Sequence, residues 1–396
     1  MHSFTYHVPT EVVFGVDAER RTAEYVRKYG GSRVMVIYGG GSAVRSGLLD
    51  RICRQLQEAG IACESLGGVQ PNPRVSFARE AIAKAAAFGA DMVLGLGGGS
   101  VIDTAKAVAH GVANPGKDVW KDIWLQPASL MKSIPVAAIP TIPAAGSEMS
   151  DSAVLTDEES GLKRGLSTQL NRPVFAILDP ALAATLPAYQ VGCGVTDIMM
   201  HTLDRYFNPV TDNELTDEIA EALLRVVIRN GRKVVENPGD LHAMSEIMWA
   251  GSLSHNELTG LGGKKDFAPH QLSQALGGLF DKAHGACLAA VWGSWARYVC
   301  PSNPERFARY ARKVWGVDGS LTTDQAALAG IEANEAYFRS LGMPVGLAGL
   351  VGVQDDAGLD TLARQCSFGG TRTIGTFQVL DEKDMRAIFA SANERQ

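Results

Sequence analysis

Two different hydrophobic patterns follow each other along the chain. Up to about residue 180, short apolar runs alternate with stretches in which apolar residues recur at helical spacing. The apolar runs cover residues 33–38, 91–96, 134–139, 153–156 and 173–178, and the helical stretches cover residues 17–29, 47–59, 74–88 and 100–113. Near-continuous apolar strands between amphipathic helices are typical of a mostly parallel sheet covered on both faces. Residues 1–180 are therefore predicted to form an α/β domain.

Beyond about residue 185 the strand pattern fades and helical spacing dominates. Apolar residues recur with this spacing in residues 188–207, 213–229, 240–258, 285–299, 304–314, 323–341 and 382–392. Pro and Gly separate these segments, so residues 181–396 are predicted to form an all-α domain. At the other end of the chain, alternation in residues 4–8 and the apolar run at residues 12–14 predict a short hairpin or edge pair, which could pair across a dimer.

Composition and charge narrow the class of protein. The chain has 396 residues, of which 46% are hydrophobic. Its 37 basic and 43 acidic side chains give a formal net charge of −6 at pH 7. With no basic cluster, a nucleic-acid partner is not expected. The six cysteines form no Cys-x-x-Cys pair, which predicts reduced thiols and neither a disulfide framework nor a thiolate zinc site. The first residues do not form a signal sequence, and no run of about 18 apolar residues occurs, so we expect a cytoplasmic protein with no membrane partner.

Two glycine triplets follow predicted strands. Gly97-Gly98-Gly99-Ser100 lies between a strand and a helix, and Gly39-Gly40-Gly41-Ser42 follows another strand. Glycines let the backbone approach a ligand closely, and a helix start attracts phosphate, so the loops are candidate pyrophosphate cradles at the carboxyl edge of the sheet. They could equally serve only as tight turns. Asp103 in the first helical turn is either a partner of the helix dipole or an acceptor for the carboxamide of a cofactor.

Four further residues are candidate metal ligands. Asp197 and His201 are four apart in a predicted helix and share one face. His270 and His284 are fourteen apart and would be about 21 Å apart in a continuous helix, so the chain must turn between them. Gly277-Gly278 is predicted to supply the break of a helix-loop-helix. One carboxylate and three imidazoles suit Fe²⁺ or Zn²⁺, although Asp and His at this spacing are also common on solvated helices.

With the glycine loops and the four candidate metal ligands both present, the sequence resembles the iron-containing (group III) alcohol dehydrogenases, in particular the butanol dehydrogenase-like branch. The motifs that carry the resemblance are Pro71-Asn72-Pro73, Gly97-Gly98-Gly99-Ser100-Val101-Ile102-Asp103 with Lys106, Thr141 with Gly146-Ser147-Glu148, Leu178-Asp179-Pro180, Asp197 with His201, and His270 with His284. The likeness covers nearly the whole chain. It implies a Rossmann-like dinucleotide-binding domain followed by a helical metal-binding domain, which agrees with the division inferred from the patterns.

The resemblance also implies roles for residues. The metal ligands, and with them the catalytic centre, would be Asp197, His201, His270 and His284. The dinucleotide contacts would include Gly97, Gly98, Ser100, Asp103, Thr141 and Lys163, and the predicted cofactor site also takes in Asn72, Ser147 and the second-loop residues Gly39, Gly40 and Ser42. The expected reaction is reversible hydride transfer between a nicotinamide cofactor and a primary alcohol or aldehyde, in a homodimer.

The chain departs from the family pattern at two places. Many members carry a histidine four residues after the third ligand, where this chain has Gln274, so proton exchange through water or the ribose hydroxyl is expected instead. Many members carry asparagine after Gly-Ser-Glu, where this chain continues Met149-Ser150-Asp151, and substrate contacts there are expected to differ. An acidic residue after the second strand would favour NAD. This chain has the second glycine loop with Arg45 nearby, which predicts a preference for NADP(H) over NAD(H).

Three alternatives stay open at this point. Within the same superfamily, a polyol dehydrogenase would bind glycerol or a diol by chelation. The scaffold also resembles dehydroquinate synthase, a lyase that needs a cationic pocket, and near His270 the chain offers only Lys264 and Lys265. A non-catalytic nucleotide-binding protein is the third alternative.

Overall fold

The computed structural model describes residues 2–210 and 212–395, which form two compact units. One unit comprises residues 7–185, and the other comprises residues 186–395 together with residues 2–6. The domain assignment 1–180 and 181–396 stays a prediction, because compact units alone do not show which segments fold independently.

A six-stranded parallel sheet lies at the centre of unit 7–185. Its strands are β1 (Glu11–Phe14), β2 (Arg33–Gly39), β3 (Ala62–Val69), β4 (Met92–Gly97), β5 (Val136–Pro140) and β8 (Phe175–Leu178). Their order across the sheet is β1-β8-β5-β4-β2-β3, and every neighbouring pair is parallel. The predicted α/β class with a mostly parallel sheet is thereby confirmed. Two further strands, β6 (Ser152–Asp157) and β7 (Leu162–Ser167), form a separate antiparallel pair.

Helices cover both faces of the sheet. They are α1 (Thr22–Lys28), α2 (Ser42–Arg45), α3 (Leu48–Glu58), α4 (Val75–Phe88) and α5 (Gly99–Ala113). Alternate residues of β2 enter opposite cores: Val34 and Val36 pack in the core that contains Ile52 of α3, and Met35 and Ile37 in the core that contains residues of α4 and α5. All four of these strand side chains are fully buried. A strand covered on both faces must be apolar at every position, which explains the continuous run in the sequence.

Several predictions for this unit are wrong. Residues 4–8 form no strand, and β1 pairs parallel with β8 instead of forming a hairpin, so the hairpin gives no support to a dimer contact. The predicted strand at residues 153–156 exists as β6 but lies outside the main sheet. Strands β3 and β7 were not predicted. Strand β3 is at the edge of the sheet and is half exposed, so its sequence has no continuous apolar run.

The other unit is built from ten α-helices in the described residues. They are α6 (Ala188–Tyr206), α7 (Glu214–Glu236), α8 (Leu241–His255), α9 (Ala268–Phe280), α10 (His284–Val299), α11 (Pro304–Tyr310), α12 (Thr323–Ser340), α13 (Leu347–Val351), α14 (Asp356–Cys366) and α15 (Glu382–Asn393). The predicted all-α character is confirmed, although α13 and α14 were not anticipated. Among the described residues, none of these helices has the length and apolarity needed to cross a bilayer.

Helix α5 packs so closely on β4 that a strand glycine is required there. A Cβ added to Gly95 would lie 3.1 Å from Cα of Ile102 and 3.3 Å from Cβ of Ala105. We expect Gly95→Ala to lower the free energy of unfolding by about 1–3 kcal/mol, because the helix must move away from the sheet. The matched control is Gly165→Ala in β7, where an added Cβ meets only the carbonyl oxygen of Ala153 at 3.9 Å. Urea unfolding followed by circular dichroism measures both, and equal stabilities would contradict the prediction.

Candidate metal centre and dinucleotide loops

Helix α6 presents two candidate ligands on one buried face. Asp197 and His201 are one turn apart, and Nδ1 of His201 lies 3.2 Å from Oδ1 of Asp197. The same nitrogen lies 3.0 Å from the backbone oxygen of Asp197. If Nδ1 carries the proton and donates it to this carbonyl, the Nε2 lone pair of His201 is left for a ligand.

Two other helices bring the remaining candidates to this face. His270 lies in the first turn of α9, and His284 is the first residue of α10. Their Nε2 atoms lie 3.8 Å and 3.6 Å from Oδ1 of Asp197. Ligand atoms of Asp197, His201 and His270 all lie within 4.8 Å of one another. The structure therefore brings together all four side chains predicted as metal ligands.

The turn between the two histidines differs from the predicted one. Gly277 and Gly278 lie inside α9, which continues to Phe280. The helix ends at Asp281, whose φ of 49° is left-handed. This conformation is one that Asp adopts more readily than most residues other than glycine. The chain then turns directly into α10.

A close helix contact sets the position of His284. A Cβ added to Gly285, the second residue of α10, would lie 2.1 Å from the backbone oxygen of Cys193 in α6. Only a residue without a side chain lets α10 begin so close to α6. Asp197 lies one helical turn after Cys193, so this contact delivers His284 to the carboxylate.

A buried aspartate that the sequence analysis missed orients one of the imidazoles. Nδ1 of His270 lies 2.5 Å from Oδ2 of Asp204, which is fully buried in α6. Nδ1–H is donated to this carboxylate, so Nε2 is the nitrogen that carries the lone pair when the ring is neutral. Among the described residues, Nε2 of His270 is buried with no hydrogen-bond partner, and it faces Asp197. A histidine whose Nδ1–H is held by a carboxylate, with Nε2 as the coordinating nitrogen, is typical of metal sites.

Electrostatics around the cluster also favour a cation. Burial acts to lower the pKa of His270, but the carboxylates of Asp204 and Asp197 outweigh it and raise this pKa to about 8. Burial, reinforced by the neighbouring His255, lowers the pKa of His201 well below its ordinary value, so this ring stays neutral and able to coordinate. One carboxylate and three imidazoles fit Fe²⁺ or Zn²⁺.

His255 is a second residue near the cluster that the sequence reasoning set aside. It ends α8, and its ring stacks on the ring of His201 with centroids 4.0 Å apart. No spacing along the chain connects these two residues. For Asp204 a signal existed, since it lies seven residues after Asp197 and three after His201 on the same helix face.

The first glycine loop is a tight junction between β4 and α5. A Cβ on Gly98 would lie 2.7 Å from Cγ2 of Ile142, and one on Gly99 would lie 3.2 Å from Cβ of Ala145. The amide of Thr141 donates to the carbonyl of Gly97 at 3.1 Å, so the loops after β4 and β5 lie side by side. Among the described residues, no side chain caps the start of α5, although the amide of Val101 donates to the carbonyl of Gly98, and the N–H groups at a helix start attract an anion. Ser100 lies in this first turn.

Asp103 and Ser147 take part in an internal polar network. Ser147 donates to Oδ1 of Asp103 at 2.6 Å, and the amide of Val154 donates to Oδ2 at 2.9 Å. Buried Lys106 donates to Ser147 at 2.8 Å and to the carbonyl of Ser152 at 2.7 Å. Burial lowers the pKa of Lys106 to about 8, against the opposing charge of Asp103. Both carboxylate oxygens of Asp103 thus accept protein hydrogen bonds, which favours a role in holding the loop over direct recognition of a carboxamide.

Asn72 and Lys163 form a second polar pair. Nζ of Lys163 in β7 donates to Oδ1 of Asn72 at 2.9 Å, and both side chains are buried. Asn72 has a φ of 56° in the turn between β3 and α4. The pair links two segments that the resemblance assigned to the dinucleotide site.

The second glycine loop borders an open pocket at the end of β2, which neighbours β4 as the sequence suggested. The pocket has a volume of about 430 Å³ and is lined by Tyr38, Gly39, Gly40, Gly41, Val44, Arg45, Gly67 and Gly68. Nη1 of Arg45 lies 3.1 Å from the position that a Cβ on Gly41 would take. Ser42 begins α2 directly after this loop. The lining contains one cationic side chain and no acidic one.

Comparison with known proteins identifies the class of this chain. Residues 9–180 match the family model described as iron-containing alcohol dehydrogenase, and residues 192–393 match the C-terminal model of the same family. The chain belongs to the iron-containing alcohol dehydrogenase family. It is an NAD(P)-dependent oxidoreductase that acts on alcohols or aldehydes.

Individual relatives are similar over their whole length. NADH-dependent butanol dehydrogenase A of Clostridium acetobutylicum is 37% identical over 390 residues, 98% of this chain and 99% of the relative. NADPH-dependent aldehyde reductase YqhD of Escherichia coli is 31% identical over 396 residues, 99% and 100% of the two chains. The crystal structure of NADH-dependent butanol dehydrogenase A from Thermotoga maritima has a TM-score of 0.93 at 32% identity and covers 100% of this chain and 99% of its own.

The contact between Asp204 and His270 yields a direct test of the metal centre. We expect Asp204→Asn to weaken metal binding by about 10–100-fold, because an amide no longer fixes the tautomer of His270 as a carboxylate does. Competition with a chelator, followed by elemental analysis, measures the affinity. Glu246→Gln, an exposed carboxylate of α8, is the matched control. Unchanged affinity in Asp204→Asn would show that the aspartate has no part in metal binding.

Proposed function

We propose that this protein is a divalent-metal-dependent aldehyde reductase and primary alcohol dehydrogenase that prefers NADP(H). The observation that carries the proposal is the cluster of Asp197, His201, His270 and His284, with Asp204 behind His270. We assign these four side chains as ligands of Fe²⁺ or Zn²⁺. A divalent ion held by them supplies Lewis-acid polarisation of a carbonyl or alcohol oxygen.

The residues of the chain contribute binding and orientation. Asp204 would hold Nε2 of His270 in position for a bound ion, and the single carboxylate of Asp197 would leave part of the ionic charge uncompensated for a substrate oxygen. In the other unit, the start of α5 after Gly98 is proposed to bind the pyrophosphate. Asp103 and Ser147 act as positioning residues for the neighbouring loop. The unit of residues 7–185 would position the nicotinamide, which supplies or accepts the hydride at its C4 atom.

The preference for NADP(H) rests on the second glycine loop. NAD-specific sites of doubly wound folds use a carboxylate to accept the ribose hydroxyl, and this carboxylate repels a 2′-phosphate. Among the described residues, the pocket lined by Gly39, Gly40 and Gly41 has no acidic lining residue, and Arg45 lies over Gly41. Relatives carry names of both kinds, NADH-dependent and NADPH-dependent, so overall similarity does not decide the preference. The homodimer and the cytoplasmic location stay predictions.

The decisive experiment follows NADPH consumption with a panel of aldehydes. Protein treated with a chelator is expected to lose turnover, and Fe²⁺ or Zn²⁺ is expected to restore it. Oxidation of glycerol and diols, measured in the reverse direction, separates a primary alcohol dehydrogenase from the polyol alternative. The polyol alternative is worth testing because a 1,3-propanediol dehydrogenase of Klebsiella pneumoniae is 28% identical to this chain. Full turnover by protein that elemental analysis shows to be free of metal would overturn the proposal.

Arg45 provides the test of cofactor preference. We expect Arg45→Ala to lower kcat/KM for NADPH by about 10-fold, the contribution of one charge-assisted hydrogen bond, and to leave kcat/KM for NADH within about 2-fold. Arg54→Ala, an exposed arginine of α3, is the control. A higher kcat/KM for NADH than for NADPH in the unaltered protein would refute the preference itself.

Gln274 tests the route of the proton. It is half-buried in α9, one turn after His270, and its amide does not exchange a proton near neutral pH. Because water or the ribose hydroxyl is then the proton carrier, Gln274→Ala should lower kcat only a few-fold. His284→Ala, which removes a proposed ligand, should lower kcat by orders of magnitude. Losses of equal size in the two variants would mean that Gln274 takes part in the reaction.

A further inference from the structure

Two cysteines lie in contact at the edge of the α/β unit. Cys53 is in α3 and Cys63 is in β3, and the thiol of Cys63 donates to the sulfur of Cys53 at 3.4 Å. Forming a disulfide would require the two sulfurs to approach by only about 1.4 Å. Ten residues separate the two cysteines in the sequence, so no Cys-x-x-Cys spacing marks them as a pair.

Their surroundings allow reagents to reach them. Both side chains are half-buried, and β3 is the last strand of the sheet, so no further strand covers it. The chain connecting Cys53 to Cys63 leaves α3 through Gly60, whose φ is 73°, and enters β3 at Ala62. Of the other cysteines, Cys287 and Cys366 are buried, Cys193 and Cys300 are half-buried, and the sulfur of Cys193 lies 3.6 Å from the sulfur of Met343.

We propose that Cys53 and Cys63 form a redox-active dithiol that low-molecular-weight disulfides such as glutathione disulfide oxidise to an intramolecular disulfide. The thiolate of Cys53 attacks one sulfur of glutathione disulfide and expels a glutathione thiolate, which takes up the proton released from Cys53. The thiolate of Cys63 then attacks the Cys53 sulfur of the mixed disulfide. The second glutathione thiolate leaves and takes up the proton of Cys63. In sum, two protein thiols and one glutathione disulfide become one protein disulfide and two glutathione thiols.

The electrostatics support this order of attack. The hydrogen bond from Cys63 lowers the pKa of Cys53. The same hydrogen bond, together with burial and the charge of Cys53, raises the pKa of Cys63. Once Cys53 is in the mixed disulfide it carries no charge, so one cause of the raised pKa of Cys63 is removed before the second step.

The site lies away from the loops proposed to bind the cofactor. Cys63 pairs with Val34 at the start of β2, whereas Gly39 at the end of β2 pairs with Val69. Five residues of strand correspond to about 17 Å. The disulfide is therefore expected to fasten α3 to the edge strand without altering kcat/KM by more than about 2-fold, and to raise the thermal unfolding midpoint.

Mass mapping tests the proposal on the full-length protein. After incubation with excess glutathione disulfide, free thiols are blocked with N-ethylmaleimide and the protein is digested with trypsin. We expect the peptide of residues 52–54 to be linked to the peptide of residues 55–74, and dithiothreitol to separate them. Alkylation of both cysteines in the treated protein, or a disulfide between other cysteines, would overturn the proposal.

Variants identify the attacking thiol. In Cys63→Ser, Cys53 should accumulate as a mixed disulfide with glutathione. This disulfide exchange raises the mass of the protein by about 305 Da. Cys300→Ser, which removes a half-buried cysteine outside the pair, should form the 52–54 to 55–74 crosslink as the unaltered protein does. The thermal midpoint should rise on oxidation in the unaltered protein and in Cys300→Ser but not in Cys63→Ser. A rise of equal size in Cys63→Ser would contradict the assignment of the stabilisation to this disulfide.

Discussion

The hydrogen bond between Asp204 and His270 is the interaction on which the candidate metal centre depends. It joins two helices, and it decides which nitrogen of His270 carries the proton. With Nδ1–H donated to Asp204, Nε2 of His270 faces Asp197 and is the nitrogen that could bind a cation once it has lost its proton. Two carboxylates buried beside three imidazoles would be costly to maintain without a compensating positive charge. The same arrangement that is unfavourable in a purely structural cluster is favourable around a divalent ion.

Packing rather than polar attraction brings the fourth imidazole to this site. Gly285 lets α10 start in backbone contact with α6, and His284 precedes it by one residue. On the α6 side of that contact, Cys193 lies one turn before Asp197. Helix geometry then sets the distance between the carboxylate and the ring of His284, because Asp197 lies one turn after Cys193 and His284 lies one residue before Gly285. A glycine with no chemical role thereby controls the position of a proposed metal ligand.

Sequence patterns predicted those elements whose surroundings are uniform. Strand β2 is buried on both faces, so its apolar run was recognised, whereas the half-exposed edge strand β3 has no such run and was missed. Spacing placed Asp197 and His201 on one helix face, and the need for a turn placed His270 near His284. Spacing could not locate that turn, because Asp281 takes a left-handed conformation for which glycine had seemed necessary. The stacking of His255 on His201 joins separate helices and leaves no pattern along the chain.

The dinucleotide half shows why family membership decides less than a single loop. Identity of 31–37% with relatives named for NADH and for NADPH is spread over about the whole chain and reflects the shared fold and chemistry. The two cofactors differ by one phosphate group. Discrimination between them therefore depends mainly on the charges within a few ångströms of that group. At the pocket that we propose for this phosphate, the described lining residues include Arg45 beside Gly41 and no acidic side chain. The local electrostatics of that pocket, rather than the average similarity, provide the physical reason to expect a bound phosphate there.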